Sequence, residues 1–172
     1  NINDYVDGDG VSLVSAFSIN PTGGEVRLGR LQLSNGYGPE STSLTHSWQT
    51  EYFDGTQFIV NVDDNGTTYD LSNIGTITVT DTGDPSDPYQ ASDSSASGEV
   101  SDTGTFSLGL LNVVWSAPVG QRYGKFTFPY AGPTWLQFDW NGTGLEDPQA
   151  EISFGQYRGH DKIIYWKEVY YK

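Results

Sequence analysis

The chain has 172 residues, 35% of them hydrophobic and 14% aromatic, with no cysteine and a formal net charge of −14. That length suits one domain with its own core, and the missing cysteine excludes disulfide and thiol chemistry. Residues 31 to 121 hold no lysine or arginine, so neither phosphate backbones nor anionic lipid are expected partners, because both need clustered basic residues.

The charge is unevenly spread. Residues 1 to 121 carry two basic and sixteen acidic side chains, whereas the last 51 carry six of each. Such a surface attracts cations, chiefly divalent ones held by carboxylate and carbonyl oxygens. With 21 Gly, 8 Pro and few stretches of helix formers, the composition favours strands and turns.

Period-two alternation recurs along the chain, the mark of half-buried strands. Segments 11–19 (VSLVSAFSI) and 26–33 (VRLGRLQL) read as strands. In the second the phase slips at Gly29, with Val26 and Leu28 on one face and Leu31 and Leu33 on the other, which suggests a bulge. Residues 47–53 and 56–62 flank Asp54-Gly55 and predict a hairpin closed by a two-residue type I′ turn. The polar, acidic segment 82–97 reads as a long surface loop. Further strands are expected at 75–81, 98–115 (broken once or twice), 122–130, 134–140, 150–156 and 162–171. The expected fold is all-β: an antiparallel β-sandwich of about ten short strands, with a distorted barrel as the alternative.

Residues 139–147 (DWNGTGLED) carry the most suggestive chemistry. Asp139, Asn141, Thr143, the Leu145 carbonyl and Asp147 fall at alternate positions around Gly144, the spacing by which a calcium loop presents its oxygens. Position twelve is Ala150 rather than a bidentate Glu, which tilts the balance toward the competing reading, a plain Asn-Gly turn between strands 134–140 and 150–156. Calcium is thus the one cofactor the residues suggest. Asp4, Asp7 and Asp9 form a second acidic group better read as a terminus, and Asp63-Asp64 suits a turn.

Catalysis finds little support. There is no GxSxG nucleophile elbow, and His46 and His160 fit hydrogen-bonding roles, so the chain is expected not to be an enzyme. Aromatic side chains offer another function, as stacking platforms for sugar rings with amides and carboxylates bonding the hydroxyls. Candidates include Tyr37, Trp115, Trp135, Trp140, Trp166, Tyr170 and Tyr171, although most aromatics in a Leu-poor chain must fill the core. Trp140 stands out because it lies inside the acidic loop. Tyr37 and Trp140 are taken as the ligand-binding candidates.

Three segments together carry a family likeness: 29–40 (GRLQLSNGYGPE), 51–66 (EYFDGTQFIVNVDDNG) and 135–170 (WLQFDWNGTGLEDPQAEISFGQYRGHDKIIYWKEVY). The chain resembles the C-terminal domain of MSHA-type pilus biogenesis proteins, the MshQ-like group, over about its whole length, with 82–121 matching least. It departs from the family in having Asn65 and Gly66, not a cysteine, after Asp63-Asp64, and a sparser Asp-Gly series at 139–147. The resemblance implies the C-terminal part of a longer polypeptide exported from a Gram-negative bacterium to the cell surface and associated with a type IV pilus. It transfers no catalytic residue. The expected function is a non-enzymatic extracellular module for adhesion or pilus assembly, with a carbohydrate-binding module or a calcium-stabilised spacer as alternatives. Pilus or surface-assembly proteins, or surface glycans, are the expected partners, without membrane insertion by this domain.

Overall fold

The longest run of alternation forms the spine of the molecule. In the computed structural model, which describes residues 27–155, Leu44–Phe53 is a ten-residue strand (β3) whose His46, Trp48 and Thr50 point inward while the residues between them face out. One flank of β3 pairs with β1 (Gly29–Leu33), placing Leu31 opposite Thr50 and Leu33 opposite Trp48. The other flank pairs with β9 (Leu110–Trp115) along residues 44–49 and with β4 (Phe58–Val60) along residues 51–53. A three-residue strand, β7 (Ala96–Gly98), adds to β9 and completes a five-stranded sheet.

A second sheet of four strands takes the order β2 (Gly36–Gly38), β11 (Gln149–Phe154), β10 (Gly124–Pro129), β6 (Thr78–Asp81). All its pairings are antiparallel except that of β2 with β11. β5 (Thr68–Asp70) and β8 (Thr103–Thr105) form a separate two-stranded ribbon. Among the described residues no sheet closes into a barrel, and the arrangement is that of a β-sandwich. Among the described residues no helix is long and apolar enough to cross a membrane.

Aromatic rings join the two inner faces. Trp48 lies 4.5 Å from Tyr130 and 6.3 Å from Phe128, and Trp115 lies 4.9 Å from Phe126 and 4.8 Å from Phe128, all buried. Full burial of one such side chain contributes about 1.5–3 kcal/mol. Trp115 is therefore core, as the shortage of leucine requires.

Several expected elements take a different form. The phase slip at Gly29 is no bulge: β1 pairs with β3 without a break in register, and Leu28 is simply exposed to solvent. A register shift occurs instead between Lys125 and Phe126, where β10 meets β6. The hairpin from β3 to β4 exists, but its turn is displaced by one residue. The Asp54 amide donates to the Gln57 carbonyl, so Gly55 and Thr56 are the central pair. Only Gly55 has positive φ, at 101°, which fits a glycine-first turn and not type I′. The Asp54 carboxylate accepts the Thr56 and Gln57 amides and fixes that register.

Residues 134–140 are not a strand. Pro133 leads into a 3-10 turn at Thr134–Leu136, and only Phe138 bridges to Glu146. The segment before β7 does run as an irregular surface loop, but it is tied down. Tyr89 is buried and stacks on Phe126 at 5.9 Å, and Arg122 pairs with Asp87 and with the buried Asp93. The strands expected at 11–19 and 162–171 lie outside the described residues, as do Asp4, Asp7, Asp9, His160, Trp166, Tyr170 and Tyr171.

Candidate functional site

The acidic loop is built as the tip of a short hairpin. Phe138 and Glu146 exchange backbone hydrogen bonds at 3.2 and 3.0 Å, and Gly142 and Gly144 take φ values of 81° and 130° that carry the chain around the tip. Asp139 Oδ1 accepts the Gly142 amide at 2.6 Å and the Gly144 amide at 3.3 Å. Asn141 Oδ1 accepts the Thr143 amide at 2.9 Å, and the Thr143 hydroxyl donates to Glu146 Oε1 at 2.8 Å. Asp147 Oδ1 accepts from Gln137 Nε2 at 2.9 Å, away from the tip, where the Leu145 side chain stands in solvent. The loop's oxygens thus serve its own hairpin: backbone amides for Asp139 and Asn141, side chains for Glu146 and Asp147. Among the described residues no three His, Cys, Asp or Glu side chains converge in a metal-holding group.

Trp140 ties this loop to the outer face of the five-stranded sheet. Its ring packs 5.1 Å from Phe138, and the Arg30 guanidinium of β1 lies 4.9 Å from its centroid. The same guanidinium sits 3.9 Å above Phe58 and donates from Nε to Glu51 at 2.7 Å. A cation stacked on rings and paired to a partly shielded carboxylate is a rigid support. The indole thus rests on Phe138 and Arg30 while it is 39% exposed.

The supported ring borders a cleft of ≈ 380 Å³, lined also by Gln32, Asn141, Glu146, Asp147 and Gln149. Two strand glutamines, a loop asparagine and two carboxylates around one indole supply donors and acceptors to a hydroxyl-rich ligand beside an apolar face. The structure therefore brings the ligand candidate Trp140 together with two of the metal candidates, Asn141 and Asp147. It does not bring Tyr37 to them: Tyr37 lies on β2 in the other sheet, about two-fifths exposed. Gln32 and Gln149 carried no signal in the sequence, since an outward glutamine on a strand looks like any solvated position.

Trp135 was one aromatic among many in the sequence, yet at 70% it is the most exposed tryptophan among the described residues. A proline followed by a Trp-Leu pair was the available signal: the short turn sends Leu136 into the core and its neighbour outward.

His46 has no catalytic freedom. Buried inside the sandwich, it accepts the Trp48 indole N–H on Nδ1 at 2.9 Å and donates from Nε2 to the Ser34 carbonyl. Burial lowers its pKa, with the Ser34 bond opposing. Hydrogen bonding is its role, as its sequence setting suggested.

In comparisons with known proteins, the model of the fourth domain of DUF6701 matches residues 27–169. No curated protein and no solved structure matches the chain.

Proposed function

This chain belongs to the DUF6701 family, as its fourth domain, and from that premise we propose that it is a non-enzymatic extracellular adhesion module whose Trp140 cleft binds neutral saccharide. The setting proposed is an MshQ-like, type IV pilus-associated protein at the surface of a Gram-negative bacterium, on the strength of the motifs at 29–40, 51–66 and 135–170.

One observation carries the binding reading. The Trp140 indole packs against Arg30 and Phe138 and borders a cleft lined by amide and carboxylate groups. Preorganised rings lose little entropy when a ligand stacks on them. Neutral ligands are favoured over acidic ones by the protein's charge of −14. A binding role fits the site better than a catalytic one, since the Glu146 and Asp147 carboxylates that line the cleft are bonded to the loop's own Thr143 and Gln137.

Titration calorimetry with neutral and anionic oligosaccharides is the test. Binding of a neutral sugar should weaken by about tenfold or more in Trp140→Ala. Gln149→Ala, which removes a solvent-facing side chain and no packing, should weaken it several-fold without lowering the melting temperature. Unchanged affinity in both variants would remove the cleft from the adhesion account.

A further inference from the structure

Trp135 is exposed by construction. Its 3-10 turn is closed by the Leu136 amide donating to the Pro133 carbonyl at 2.9 Å, and Leu136 is buried so tightly against β1 that a Cβ on Gly29 would lie 3.1 Å from its Cδ2. The anchored turn holds the neighbouring indole out into solvent. On one side of it opens a cleft of ≈ 740 Å³ whose walls include Arg27, Asp63, Asp64 and Asn65; on the other opens a second of ≈ 660 Å³ whose walls include Tyr69, Asp70 and Asn73. Trp135 is common to both. Each volume falls within the roughly 300–1,000 Å³ of ligand sites.

The charges of these walls are one-sided. Arg27 is engaged, bonding Asp63 at 2.9 Å and Asn61 at 2.8 Å and lying 4.1 Å above the Tyr52 ring. Asp64 and Asp70 make no ion pair among the described residues. Burial presses the Asp64 carboxyl upward, but hydrogen bonds led by the Thr67 amide and hydroxyl, with the Gly66 amide, outweigh it and hold it below its usual range; the Ser72 hydroxyl and amide do the same for Asp70. Both are anions at neutral pH. They belong to the stretch from 31 to 121 that contains no lysine or arginine, so the wider field reinforces them.

We propose that the paired clefts about Trp135 are a docking site for a basic segment of a partner protein, an arginine or lysine stacking on the indole while neighbouring cations meet Asp64 and Asp70. Charge complementarity selects this occupant. Anionic chains are repelled, and a neutral chain gains nothing from the field that covers this face. A guanidinium gains from both the ring face and the flanking carboxylates. The site is separate from the Trp140 cleft, and its failure or success leaves the saccharide reading untouched.

Fluorescence anisotropy with the full chain and a labelled peptide of alternating arginine and glycine tests this, with a glutamate–glycine peptide and a neutral oligosaccharide as parallel arms. The arginine peptide alone should bind, more weakly as salt rises. Trp135→Ala should weaken it by about tenfold or more with an unchanged melting temperature, and Asp70→Asn should weaken it several-fold. Glu99→Gln, which neutralises an exposed acid that lines neither cleft, should change it less than about twofold. Equal losses from Glu99→Gln and Asp70→Asn, with none from Trp135→Ala, would mean diffuse attraction and overturn the proposal. So would absence of peptide binding, or binding of the oligosaccharide in its place.

Discussion

His46 shows how much one residue's environment can decide. The Trp48 indole nitrogen can only donate, so His46 Nδ1 must accept, and the proton of the neutral ring sits on Nε2 facing the Ser34 carbonyl. Adding a second proton would break the Trp48 bond and place a charge between the rings of Trp48 and Phe128, 6.3 and 5.9 Å away. Its pKa in the folded chain is therefore below the value of about 6.5 that it has when unfolded. Between those two values the unfolded chain binds more protons, so this residue's contribution is intact above about pH 6.5 and is lost as pH falls below it. Urea midpoints at pH 7 and pH 5 should show a larger loss in the parent than in His46→Gln, whose amide can bond both Ser34 and Trp48 without titrating. Equal losses would mean that carboxylates alone set the acid sensitivity.

The loop before β7 depends on a single absent side chain at the start of β10. A Cβ on Gly124 would lie 2.5 Å from the Tyr89 Cβ and 2.7 Å from the Asp81 carbonyl. Gly124→Ala must therefore push out Tyr89 and with it the Arg122 pairs, at a cost of about 1–3 kcal/mol. The melting temperature should fall by roughly 2–4 °C for each kcal/mol. In Tyr89→Gly the added loss from Gly124→Ala should be smaller, because the Tyr89 Cβ and Cγ it would meet at 2.5 and 2.8 Å are gone and only the Asp81 carbonyl remains. Nothing in the sequence of the loop revealed this anchor, since its composition is that of a solvated linker. Elements with one buried face were legible: Trp48 and Thr50, Leu111 and Val113, and Phe126 and Phe128 each alternate as their strands do. Three-residue strands such as β2 and β5 were not, because their pairing is decided by distant partners, Ile152 to Phe154 for β2 and Thr103 to Thr105 for β5. The same limit hid the site. Asp139 to Asp147 could be read as a turn rich in oxygen ligands, but the Arg30 support beneath Trp140 and the Gln32 beside it come from a strand far off in sequence.

At the scale of the whole molecule, sixteen acids and two basic residues in the first 121 positions put self-repulsion across most of the surface. The fold offsets part of it locally: Asp54 turns its carboxylate onto the Gln57 and Thr56 amides, and Asp70 and Asp84 turn theirs onto the hydroxyls and amides of Ser72 and Ser86, which hold all three pKa values below the usual range. Salt weakens the rest over about 8–10 Å at physiological strength. Raising sodium chloride from low to physiological concentration should therefore raise the melting temperature, even though exposed ion pairs such as Arg27–Asp63 are screened too. Calcium separates screening from coordination. In the loop at 139–147 the Asp139 oxygen already accepts two backbone amides, so calcium chloride and sodium chloride at equal ionic strength are expected to stabilise the parent alike. Asp139→Ala should then cost about 0.5–2 kcal/mol in either salt, the loss of a carboxylate that caps its own turn. If calcium instead adds several degrees beyond sodium, and Asp139→Ala or excess EDTA erases that excess alone, the loop exchanges its amide bonds for a cation and calcium is part of the folded protein.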